Sequence, residues 1–288
     1  MTARNPDFLI IGAQKAGTSW LHRRLRQHPA IYLPEDKDFE HFSFVPHPDE
    51  VRWRARFADA GPGQRIGDAC ASYFWTGEFG EGNVGFNPDI PGTIRDALGP
   101  DTRILILLRD PVARAVSAYL HHIAFGSLDA RVPLLAAPGA LGLVALSRYG
   151  MHLDNWLSAF PERAIRVLPS PGEAEPRAVL GPACAHLGVE PRFVDGSNQA
   201  VFPGLLRKRT EDGIWAALDQ PGLDRPVGPV REIDGRQWTR LIDPGELTEL
   251  TDSLRDDTRR LAGTLARIEQ TQPAFRAWST WPAPRGAE

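Results

Sequence analysis

Cysteine is scarce: the 288 residues hold only Cys70 and Cys184. They form no CxxC pair, and no Cys/His group has zinc-ligand spacing, so neither a disulfide framework nor a structural zinc centre organises this chain. Such sparse cysteine fits a reducing cytoplasm. Long hydrophobic runs are missing too. The most apolar stretch, Val132 to Leu146, is broken by Pro133, Pro138, Gly139 and Gly142. Nothing approaches the roughly 18 consecutive apolar residues of a membrane span. Near the N-terminus the apolar run stops at Gly12, too short for a signal peptide. A basic excess is also absent. Lys+Arg number 33 against Asp+Glu 36, a net charge of −3, whereas a general nucleic-acid binder carries the opposite balance. The expectation is a soluble cytoplasmic protein with no membrane span and no nucleic-acid partner. A local anion site is still allowed, because a few well-placed cations do not need a positive total.

What is present is an ordinary globular composition, 42% hydrophobic and 24% charged, which argues against disorder as a description of the whole. The length suits one large α/β domain, and residues 1–288 are read as a single unit. Phe8 to Ile11 reads as a buried parallel strand and Thr18 to His28 as a helix stopped by Pro29. Ile31 to Leu33 is a short strand candidate. Thr102 to Leu108 is the strongest strand and is followed by a helix over Val112 to Ile123. A helix around Leu153 to Phe160 precedes a strand over Ala164 to Leu168. Pro244 to Ile268 shows the leucine spacing of a long amphipathic helix. This alternation predicts a three-layer, P-loop-like α/β fold with a central parallel sheet flanked by helices. Residues 130–147 and 210–240 fit the scheme poorly and read as insertions or lids.

The stretch Gly12-Ala13-Gln14-Lys15-Ala16-Gly17-Thr18-Ser19 follows a strand and opens a helix. Two glycines four residues apart let the backbone curl so that successive N–H groups face one anion, and the helix N-terminus adds partial positive charge. The lysine is unusual. A nucleoside-triphosphate loop puts it directly after the second glycine, where this chain has Thr18, with Lys15 inside the bend. Arg109 ends the best strand, at the carboxyl edge of the sheet where open α/β folds bind ligands. Ser117 lies eight residues on, just over two helical turns away. Arg109 and Ser117 are placed to grip one phosphate, fork and hydroxyl together. A competing reading makes Asp110 a magnesium-holding acid and the protein an ATP-dependent P-loop kinase or NTPase. A third makes it a nucleotide-binding scaffold without catalysis.

Taken together, IIGAQKAGTSWL resembles the 5′-phosphosulfate loop, and LILLRDPVARAVSAY the 3′-phosphate motif, of sulfotransferases that use 3′-phosphoadenylyl sulfate (PAPS), in their heparan-type and bacterial branch. HPAIYLPEDKDFEHF, IGDACASYF, SRYGMHLDNWLSAFPERAIRVLP and LRDDTRRLAGTLARI resemble further segments in the same order, over roughly residues 7 to 275. The resemblance implies metal-free transfer of a sulfuryl group from PAPS to an acceptor oxygen or nitrogen. It implies donor binding by Gln14, Lys15, Ala16, Gly17, Thr18, Ser19, Trp20, Arg109 and Ser117, with Lys15 also neutralising the leaving phosphate. A carboxylate or histidine after the second strand takes the acceptor's proton. An ungapped overlay on the family's pattern puts Asp38 first in that role, with Glu40 and His41 close behind, and Lys37 on the pattern's lysine. A lysine frequent in the family near Ala69 is missing, and Cys70 beside it reads as a small buried residue. Arg207, in Leu206-Arg207-Lys208-Arg209, is the best candidate for the loop that closes over the 3′-phosphate. His121 and His122 read as helix-surface residues. The apolar stretch Val132 to Leu146 suggests cover for a small hydrophobic natural-product acceptor, or a homodimer contact.

Overall fold

The computed structural model describes residues 4–47, 49–77, 85–192 and 205–280. Strand β1 (Phe8–Gly12) lies at the centre of a five-stranded parallel sheet. Its order is β2 (Ile31–Tyr32), β3 (Arg65–Ala69), β1, β4 (Arg103–Leu108) and β5 (Ile165–Pro169). Residues 8–11 and 104–108 are fully buried, as expected of parallel strands covered on both faces. Helices α1 (Thr18–Arg26), α3 (Ile90–Leu98), α4 (Pro111–Ala124), α5 (Tyr149–Ala159), α6 (Pro176–Leu187) and α7 (Pro244–Arg267) surround the sheet, with a short α2 (Glu50–Ala55) after β2.

The short strand β2 falls where the sequence placed a candidate, Ile31 to Leu33, whereas β3 has no apolar run at all. Asp68 interrupts it. The structure explains how that acid is tolerated at 1% exposure. One carboxylate oxygen accepts from Arg56 at 2.9 Å and from the Ala69 N–H, and the other accepts from the Trp53 indole at 3.0 Å. A buried charge survives only when paired and hydrogen-bonded in this way.

Residues 207–242 build a second sheet, antiparallel, in the order β6 (Arg207–Thr210), β7 (Gly213–Ala217), β9 (Arg236–Ile242) and β8 (Val230–Ile233). Ile214, Ala216, Leu241 and Ile242 from this sheet join α4 and α7 in a second core. The stretch Val132 to Leu146 coils into 3-10 turns and turns its apolarity inward. Leu134, Leu143 and Leu146 are each at most 4% exposed, and the Tyr119 hydroxyl donates to the Val132 carbonyl at 2.8 Å. Its leucines are therefore largely spent on packing.

Candidate active site

The turn between β1 and α1 owes its shape to Gly12 and Gly17. Gly17 has φ +102°, and a Cβ there would sit 2.6 Å from Pro171 Cδ. A Cβ on Gly12 would sit 2.6 Å from Phe74 Cβ. Lys15, between them, has φ +68°, a left-handed conformation that non-glycine residues adopt under constraint. Helix α1 begins with no side-chain cap. Its first N–H groups have no intrahelical acceptors, so the helix opens as an anion site. Thr18 and Trp20 are buried, Ala16 fully so, and Gln14, Gly17 and Ser19 are half-buried along the turn. Gln14 Oε1 and the Trp20 indole nitrogen are buried without partners among the described residues.

Cations converge on this turn. The ammonium of Lys15 is pulled down to about 8, first by burial and then by Arg109, Arg207, Lys37 and Arg114. Arg207, the first residue of β6, is likewise lowered by burial and by Arg109. Arg109 reaches the Lys15 carbonyl at 3.5 Å and has Glu173 3.9 Å away. The second sheet thus delivers Arg207 to the parallel sheet's carboxyl edge. Mutually repelling cations beside an uncapped helix make a place for a multiply charged anion. Ser117 is half-buried on α4, two turns beyond Arg109.

The three acids and bases of the Lys37–His41 loop separate. Asp38 and Glu40 both have left-handed backbones, φ +60° and +59°. Asp38 accepts from the Ala71 N–H at 2.9 Å with one oxygen and pairs with Lys37 through the other. Lys37 is itself one of the cations acting on Lys15, so Asp38 is tied to the cluster. Glu40 is half-buried, and its carboxyl is pushed up by burial and by Asp38, with Ser72 as hydrogen-bond partner. His41 goes elsewhere. Its ring is 3% exposed and stacks on Trp53, centroids 4.3 Å apart at 6°. Cys70 is buried and its thiol is pushed up to about 12, chiefly by burial, which leaves it inert.

Both carboxylate oxygens of Asp110 accept hydrogen bonds from the protein. One oxygen caps α4 through the Ala113 N–H at 2.8 Å. The other accepts from Ser279, from the N–H at 2.9 Å and from the hydroxyl at 3.1 Å. Glu173 holds the Asp110 N–H and the Trp278 indole. The C-terminal segment is thereby fastened beside Arg109.

Two residues that the sequence did not assign to the site, Arg114 and His121, stand beside Ser117. Arg114, Ser117 and His121 stand at i, i+3 and i+7 on α4, a single helix face. His121, assigned above to a plain helix surface, is lowered to about 4 by burial and then by Lys15 and His122. Its ring lies 4.4 Å from that of Phe125, which is 69% exposed. The periodicity was the available signal, and it becomes visible only once Ser117 is taken as a fixed point.

No model of a known protein family matches the chain. The chain is similar to the human bifunctional heparan sulfate N-deacetylase/N-sulfotransferase 2, at 25% identity over 94% of this chain and 31% of that protein. It thus spans less than a third of that relative's length. It is 31% identical to the human heparan sulfate glucosamine 3-O-sulfotransferase 6 over 55% of this chain and 44% of that protein. Among solved structures, a sulfotransferase from Alicyclobacillus acidocaldarius superposes with a TM-score of 0.63 at 25% identity, covering 95% of this chain and 99% of that one. The loop, the sheet order and these relatives agree: over nearly its whole length the chain is similar to sulfotransferases.

Proposed function

We propose that the protein transfers a sulfuryl group from PAPS to a hydroxyl or amine of a small, largely apolar acceptor. The observation that carries this reading is the convergence of Lys15, Lys37, Arg109 and Arg207 on a helix N-terminus that no side chain caps. Four cations suit a donor with phosphate at both ends. The fit is supported by the Trp20 indole N–H, a buried donor without a partner among the described residues.

In this reading Lys15 and the N–H groups of Gly17, Thr18 and Ser19 hold the 5′-phosphosulfate, and Arg109, Ser117 and Arg207 hold the 3′-phosphate. The donor supplies an activated sulfur whose bond to the phosphate oxygen breaks as the bond to the acceptor forms. Lys15 neutralises the charge left on the phosphate. Asp38 takes the acceptor's proton, so charge balances. Its tie through Lys37 to the cation cluster that would hold the donor favours it over Glu40. The remaining work is positioning. The His121–Phe125 pair beside Lys15 offers an uncharged, aromatic acceptor side, which suits a small ring better than a polyanionic chain.

The kinase reading is disfavoured by Asp110, whose oxygens are consumed by Ala113 and Ser279. Titration with 3′,5′-adenosine bisphosphate (PAP) tests the proposal. Binding heat and a thermal shift without magnesium are expected, and Lys15→Ala is expected to lower turnover about a hundredfold or more. Absence of both heat and shift with PAP, alongside magnesium-dependent ATP binding, would overturn it.

A further inference from the structure

Among the described residues, Arg114 is the largest fully buried charged side chain, and it has no carboxylate partner there. It is fully enclosed on α4. Its Nε donates to Ser147 Oγ at 2.6 Å, and its Nη2 donates to the carbonyls of Gly142, at 3.2 Å, and Leu143. Ser147 in turn donates to the Pro111 carbonyl at 2.8 Å, at the start of the same helix. One guanidinium therefore pins the 142–147 turn against α4. Nη1 has no partner among the described residues. The charged or ionisable groups acting on Arg114 are Tyr149 and Arg109, a second cation.

A guanidinium cannot shed its proton under ordinary conditions. Burying one among carbonyls alone leaves its charge uncompensated, and that is unfavourable unless a counter-ion arrives. Arg114 stands one helical turn before Ser117 on the same face and five residues after Arg109, the two residues assigned to the 3′-phosphate. It also acts on Lys15 across the site. Low dielectric around a buried charge lets its field reach a ligand it does not touch.

We propose that Arg114 is a positioning residue for the 3′-phosphate end of the nucleotide, a buried cation whose missing counter-ion is the bound donor itself. This rests on the sulfotransferase reading. Arg114 fixes the turn at 142–147 through its donors, and its uncompensated charge makes the 3′-phosphate worth more to the protein than to an exposed arginine pair. The free protein carries the penalty of that charge, and nucleotide binding relieves it.

The experiment compares PAP with adenosine 5′-monophosphate, which lacks the 3′-phosphate, on the whole chain by calorimetry. In the wild type, PAP is expected to bind at least a hundredfold more tightly. Arg114→Met is expected to weaken PAP about tenfold or more while leaving the monophosphate within about twofold. Arg114→Lys keeps the charge and loses the fork. It is expected to retain most of the preference for PAP, and it carries the test if the methionine variant does not fold. A merely structural role would weaken both ligands alike, so equal losses overturn the proposal, as does a preference for PAP that survives in Arg114→Met. If in Arg114→Lys the preference falls to that of the monophosphate, the charge is not the agent and the proposal also fails. If the wild type binds neither nucleotide, the sulfotransferase reading itself falls. If it binds both alike, the 3′-phosphate site is wrong.

Discussion

At the scale of single residues, the chemistry rests on how environment sets charge. Lys15 is the clearest case. Burial and neighbouring cations bring its ammonium down to about 8, so in the free protein it begins to lose its proton just above neutrality. An arriving dianion favours the charged form and pushes the value back up. PAP affinity is therefore expected to weaken as pH rises above about 8, and binding near that pH is expected to take up protons. Calorimetry in buffers of different ionisation enthalpy reads this directly; a flat affinity from pH 7 to 9.5 with no buffer-dependent heat would sink it. The acids are separable in the same way. Asp38→Asn is expected to lower kcat about a hundredfold, and Glu40→Gln by less than about tenfold. The reverse ranking would transfer the proton-accepting role to Glu40. Lys15 and Arg109 were legible in the sequence because each stands at a junction of strand and helix. The burial of His41 was not legible, because its neighbour in space, Trp53, lies twelve residues away and exerts no pattern on the chain.

Elements differ in how plainly the sequence announces them. β1 and β4 are uninterrupted apolar runs, and α7 keeps its leucines on one face, so all three were readable from periodicity. β3 was hidden, since Asp68 stands in the middle of it and is neutralised by Arg56, a partner from outside the strand. The 207–242 sheet was hidden for another reason. Its edge strands β6 and β8 are mostly exposed or half-buried and rich in arginine, so a segment dense in charge and glycine looks like a loop until its partners are known. Helix α4 offers a test at this scale. Asp110 caps it and also anchors Ser279, so Asp110→Ala is expected to lower stability by about 1–2 kcal/mol in denaturant unfolding. Asp110→Asn, an equally good cap, is expected to recover most of that. Loss of equal size in both variants would show that the cap is not what Asp110 contributes.

For the molecule as a whole, two cores meet along α4. One face of this helix packs with the antiparallel sheet and α7, and its N-terminal end meets the parallel sheet at Arg109. That shared helix brings Arg207 from one sheet within electrostatic reach of Lys15 from the other. Overall architecture was the most legible level, because alternating strands and helices admit few chiralities and few layer orders. The acceptor side was the least legible, since it is made from residues that only folding brings together. No helix among the described residues is long and apolar enough to cross a membrane.

The fastening of the C-terminal segment has a practical result. The Trp278 indole donates to Glu173 at 2.9 Å, and Glu173 stands 3.9 Å from Arg109. An occupant that draws Arg109 away from Glu173 alters the electric surroundings of an intrinsic fluorophore. Tryptophan emission is therefore expected to change as PAP is added, and Trp278→Phe to remove most of that change; an unaltered response in the variant would assign the signal to another indole. Occupancy of the site would then be visible by light alone, with no dye and no labelled nucleotide.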